Sequence, residues 1–141
     1  MQNILEKKVD RLNYLKGLIR LSVCNDDISI EEKQFYLEAA ANMELDEGDM
    51  AELDECWQSS GDFPVTFSSK KVSLFFLQEA VQLCEIDGNY DEIEKREILK
   101  VGNELGLSTG EIRKIEAWVR EGMEWKKRGE QLLDELAEGG I

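Results

Sequence analysis

Residues 32–53, EKQFYLEAAANMELDEGDMAEL, lie over residues 94–115, EKREILKVGNELGLSTGEIRKI, without a gap. Glu, Lys, Leu, Leu and Gly coincide at 32/94, 33/95, 37/99, 45/107 and 48/110. The other apolar positions keep their character: Tyr36 with Ile98, Met43 with Leu105, Met50 with Ile112, Leu53 with Ile115. Ala40 lies over Gly102, a small pair that predicts a close helix crossing, because a bulky side chain there would hold the axes apart. A chain that repeats its apolar stripe in this way has one economical solution: two units, each burying its stripe against the other. The fold class predicted is all-α, with six or seven helices. Two duplicated three-helix units, about 1–58 and 69–137, pack into one bundle-like domain over 1–141.

The spacing of apolar residues sets the helices. The first runs from about Gln2 to Cys24, with Leu5, Val9, Leu12, Leu15, Leu18, Ile19, Ser22 and Val23 inward. The second starts near Ser29 and turns Tyr36, Leu37, Ala40 and Ala41 inward, and the third follows Asp46 with Met50, Leu53 and Trp57. SSGDFPVTFSS then breaks the period with the only proline and forms the central connection, pinned to the core by Phe63 and Phe67. The fourth helix, about 69–84, buries Val72, Phe75, Phe76, Ala80 and Leu83; the fifth follows Asp91 with Ile98, Leu99, Gly102 and Leu105. A long sixth begins after Ser108 and runs toward Leu136, with a kink or break expected at Gly122 or Gly129.

Charge narrows the function. With 31 acidic against 17 basic residues the net charge is −14, a field that repels nucleic acid and anionic membranes and favours cations or a protein partner. Histidine is absent, which removes Ser-His-Asp and Cys-His catalysis and most zinc or copper sites. Cys24, Cys56 and Cys84 form no CxxC and read as small buried hydrophobes in a reducing compartment. No run of about 18 apolar residues exists, and MQNILEKKVDRLNYL carries charge through its apolar positions, unlike a targeting peptide. The location expected is the cytoplasm, with no membrane insertion.

EIDGNYDEIEKRE, residues 85–97, has the look of a calcium loop. An EF-hand started at Asp87 needs glycine sixth and glutamate twelfth, where this chain has Glu92 and Ile98. The repeat gives the local reason for half of it. Asp91-x-x-Glu94 overlies Ser29-x-x-Glu32, and Ser108-x-x-Glu111 overlies Asp46-x-x-Asp49, so four helix starts share capping-box chemistry. Asp87, Asn89, Asp26 and Asp27 remain, with two readings open: turn residues only, or oxygen ligands for a hard divalent cation.

LCEIDGNYDEIEKREILKVGNELGLSTGEI, residues 83–112, resembles the TerB-like family: an apolar helix, Asp-Gly, a short turn, a glutamate-led helix, then Leu-Gly-Leu. That helical family includes a tellurite-resistance protein and the N-terminal region of a membrane-bound DnaJ-type co-chaperone. The first half departs from the pattern, with Asp27 and Glu44 in place of the two glycines. The resemblance implies a divalent ion (magnesium, calcium or manganese) held by the Asp of Asp-Gly and the following Glu. Those positions are Asp87 and Glu94 here, and Asp26 and Glu32 in the first half. It implies a stress-related, non-enzymatic role. The function expected is therefore an interaction or adaptor domain with a protein partner, and the alternative is a metal-binding sensor in which the ion is the signal. Trp118 and Trp125, seven apart beside Lys126-Lys127-Arg128, read first as core and snorkelling residues and second as a docking face.

Overall fold

Every helical period read from the sequence closes into a helix. The computed structural model describes residues 4–24, 30–59, 61, 63–86 and 90–139, apart from the side chains of Ile30, Glu31, Glu32, Phe35 and Ile86. Among these residues there are six helices and no strand: α1 Lys8–Val23, α2 Ile30–Asn42, α3 Glu47–Gln58, α4 Lys70–Ile86, α5 Glu92–Glu104 and α6 Thr109–Gly139. Each helix of the second half starts 62 residues after its counterpart: Lys8 and Lys70, Ile30 and Glu92, Glu47 and Thr109. The same offset pairs buried side chains well outside the overlay, Leu15 with Leu77, Ile19 with Val81 and Trp57 with Val119. Packing repeats as well. α1 lies on α3 and α4 on α6, while α1 and α4 join the halves. All six helices contribute to a continuous apolar core.

Helix ends carry the repeat in their polar chemistry. Asp46 and Asp49 form a reciprocal capping box at α3, and Ser108 and Glu111 form one at α6. In each half a lysine from the start of the first helix reaches the acid of that box: Lys8 to Asp49 at 2.9 Å, Lys70 to Glu111 at 2.7 Å. Between α5 and α6 the chain turns at Gly106 with φ of 84°, and the Leu107 N–H donates to the Gly102 carbonyl. Its counterpart Glu44 holds the same left-handed backbone at φ of 59°, and the Leu45 N–H donates to the Ala40 carbonyl. Glutamate there strains against its own Cβ where glycine would not.

The central connection is fastened along one row of α1. Asp10 accepts from the Ser68 N–H at 2.8 Å and from its hydroxyl at 2.5 Å. Asn13 accepts from the Thr66 N–H, and Arg20 donates to the Phe63 carbonyl. These three polar side chains are all buried. Gly17 completes the row. A Cβ on it would intrude into the Phe76 ring, which Tyr14 and Phe67 already flank. At Gly102 a Cβ would lie 2.5 Å from Ile112 of α6, which is the close crossing expected for the 40/102 pair. Phe67 and Phe63 pack on the core, as the apolar residues beside Pro64 implied.

Several expectations need correcting. α1 starts at Lys8, later than Gln2, and Val9 is 51% exposed because Asp10 and Asn13 take the inward face of that turn. Leu37 is 45% exposed and Ala41 exposed, since α2 packs mainly on α1 and only a narrow face is covered. Leu77, Val81 and Val101 are buried core residues that the stripes omitted. α6 runs unbroken past Gly122 and Gly129 to Gly139.

Two consequences are measurable. Gly17→Ala should lose about 1–3 kcal/mol in urea denaturation despite alanine's better helix propensity, because Phe76 is fully buried and cannot give way. Glu44→Gly should gain about 1 kcal/mol by relieving the left-handed strain. A further test uses acid. Lys70 and the Ser108 backbone hold Glu111 down at about 2, against an ordinary 4.5. A depressed carboxyl contributes stability above its unfolded value and loses it as pH falls through the folded one. The melting midpoint of wild type should therefore exceed that of Glu111→Gln near neutrality, and the gap should close between about pH 4.5 and 2. A gap that persists at the acid end would rule out this ionic origin.

Candidate functional site

Of the four residues that the family resemblance marks as ligands, the structure describes one side chain. Glu94 sits in the first turn of α5, where its N–H donates to the Asp91 side chain at 2.9 Å and its own side chain is buried. Asp87 and Asp26 lie outside the described residues, as do Asn89 and Asp27. Glu32 belongs to α2, but its side chain is not described. Among the described residues no group of three or more acidic or cysteine side chains is placed to hold an ion.

Packing does bring the acidic start of α5 to the end of α1. The Cys24 thiol, which donates to the Leu21 carbonyl, is pushed up to about 11, first by burial and then by Glu97, Glu94 and Asp91. Such a thiol stays protonated near neutrality and is a poor nucleophile. Burial likewise pushes the Cys56 thiol up, and Cys84 is buried, so these two are the small buried hydrophobes expected, while Cys24 is only half-buried. Arg20 stands beneath the same junction. Its guanidinium meets Glu97 at 2.6 Å and Glu104 at 2.7 Å, so α5 is bound to α1 through a charge that is only 3% exposed. Tyr90, just ahead of α5, donates to buried Glu116 of α6 at 2.6 Å, and Arg113 meets the other carboxylate oxygen. Burial first, and Glu116 second, push the Tyr90 hydroxyl well above its ordinary value.

Two of the clefts among the described residues have their buried polar side chains committed. The larger, about 340 Å³, is lined by Lys7, Asp10, Ser68 and Lys71 among others, but both Asp10 oxygens are engaged by Ser68. The smaller, about 220 Å³, lies beside Arg20, Phe63, Lys100 and Glu104, with the Arg20 guanidinium already shared among its partners. Neither presents a nucleophile with a free base beside it.

The remaining feature is α6. Its inward line, Ile112, Ile115, Glu116 and Val119, ends where α3's counterpart Gln58 would predict, at Arg120. From Glu124 to Gly139 every residue is exposed. Trp118 is 53% exposed and Trp125 73%, so the reading of these two as core residues is overturned. Leu132, Leu133 and Leu136, apolar on the same helix, are exposed too. The reason is length: nothing in the first half extends far enough to cover the overrun. The repeat could have shown this in the sequence, because α3 stops at Gln58 while the α6 pattern continues. Arg20, Asp10 and Asn13 gave no such signal, being polar residues inside an apolar period.

Among the described residues no helix is long and apolar enough to cross a membrane. No family model, curated protein or solved structure matches this chain.

Proposed function

We propose that this chain is a non-enzymatic, cytoplasmic interaction domain of TerB-like type, serving as an adaptor in a stress-related pathway, with the outer face of α6 as its contact surface. One observation carries the reading: two tryptophans and three leucines stand exposed on a single projecting helix. An apolar surface of that kind on an otherwise acidic chain marks a place where protein binds protein. The segment 83–112 supports the TerB-like assignment through its Asp-Gly and Leu-Gly-Leu sequences. A photo-cross-linking phenylalanine analogue at position 125 tests the surface in living cells, with exposed position 47 as control. Discrete adducts from 125 and none from 47 are expected; no adduct from 125 would remove the interaction reading.

A second reading keeps the metal. Asp91, Glu94 and Glu97 crowd the end of α1, next to the segment that carries Asp26, and this negative potential suits a hard cation. Thermal denaturation with magnesium, calcium, manganese or a chelator decides it. An ion at 100 times its Kd stabilises by about 2.7 kcal/mol, and Asp87→Ala should abolish that rise. If no ion moves the wild-type midpoint, the sensor reading is lost.

A further inference from the structure

α6 carries a strict alternation of three and four along its open face: Trp118, Gly122, Trp125, Gly129, Leu132 and Leu136. That is the seam of a coiled coil, with Gly122, Gly129 and Leu136 at one seam position, a, and Trp118, Trp125 and Leu132 at the other, d. The seam lies roughly 110° around the helix from the Ile112–Val119 line that faces the core, so it is open alongside the domain as well as beyond it. From Trp118 to Gly129 large and smallest side chains alternate along it. A parallel pair would stack tryptophan on tryptophan in one layer and glycine on glycine in the next, which two straight helices cannot satisfy together. An antiparallel pair sets each a residue against a d residue, so every tryptophan enters the hole left by a glycine.

We propose that this seam binds a second copy of the chain, as an antiparallel pair in which Trp125 packs on the partner's Gly122 and Trp118 on the partner's Gly129. The inference rests on the interaction reading above and names its occupant. Charge selects the register. With Trp125 on Gly122, the flanking residues before each a position pair Glu121 with Arg128 and Lys114 with Glu135, every pair opposite in sign. A slip of one heptad in one direction sets Arg128 against Arg128 and Glu121 against Glu135; the other sets Glu121 against Glu121 and Lys114 against Arg128. Of these three registers only the first joins unlike charges throughout. α6 also suits a copy of itself in total charge: it holds six basic and eight acidic residues, so most of the −14 lies elsewhere. Four tryptophans burying roughly 150 Å² each supply about half of the ~1,200 Å² at which specific interfaces begin, before the leucines are counted. An anionic membrane is the poorer occupant, since acids are spread along the overrun between its basic residues.

Sedimentation equilibrium of the full chain under reducing conditions, from about 1 to about 200 µM, tests the proposal. A species of twice the 16.2 kDa chain mass is expected. Trp125→Ala should weaken it at least about 30-fold. Gly122→Leu should weaken it comparably, although leucine is the better helix former. Arg128→Glu should weaken it, and Glu121→Arg with Arg128→Glu should restore it. A wild-type chain that stays monomeric overturns the proposal; adducts of another mass from position 125 would then leave the interaction reading standing with a different occupant. A dimer indifferent to Trp125→Ala and Gly122→Leu overturns it by placing the contact elsewhere. A dimer that tolerates Arg128→Glu, or that the double exchange fails to restore, overturns the antiparallel register.

Discussion

The row of Asp10, Asn13, Gly17 and Arg20 on α1 is what the rest of the fold leans on. The described residues of the central connection form no helix that would satisfy their backbone, and the connection must cross between two units whose stripes face each other. α1 meets that demand by giving up apolar residues on one line. Asp10 and Asn13 take two of the connection's N–H groups, Arg20 takes a carbonyl, and Gly17 lets the Phe76 ring come down between them. Arg20 then extends the same fastening to α5 through Glu97 and Glu104. Removing a partner from a buried pair of this kind typically costs several kcal/mol, because the remaining charge is left without compensation. Shielding by solvent at Glu104, which is half exposed, lowers that cost here.

The fold was legible where the physics is local and repetitive. Helical period located all six helices, and the capping residues Asp46, Asp91 and Ser108 stand one residue ahead of α3, α5 and α6. What failed to show was anything set by a distant partner. Val9 looked inward by period, yet the inward position belongs to Asp10, whose partner Ser68 lies in another part of the chain. Trp118 and Trp125 looked like core by helix type alone, although the repeat ends its first copy at Gln58 and so leaves everything after Arg120 without a covering counterpart. Of the residues marked as metal ligands, Glu94 is placed beside Asp91 and near Cys24, and the other three side chains lie outside the described residues.

The two halves use one plan for different ends. Up to Arg120 they match in helix starts, in the lysine-to-cap contacts and in the left-handed turn before the last helix. The first half keeps the left-handed turn with a glutamate, accepting strain that its partner avoids with Gly106. The second half keeps the Asp-Gly pattern and adds the overrun of α6. Divergence has thus gathered at the helix junctions, at one helix end and along the polar row of α1, where α4 carries Val72, Phe75, Glu79 and Gln82 instead, while the apolar buried pairs have kept their places.

That overrun has a thermodynamic consequence of its own. A helix in water needs about 12–15 residues of good formers to hold itself, and this one contains Gly122, Gly129 and Gly139 and is exposed at every residue after Met123. Its order is propagated from the folded domain outward, turn by turn, so it is the least protected backbone in α6. Whatever settles on the seam also tightens those turns, and part of the binding free energy is spent on making the helix itself. Affinity at this surface is therefore tunable from within the chain: a change that only stiffens the helix would strengthen association without touching the partner.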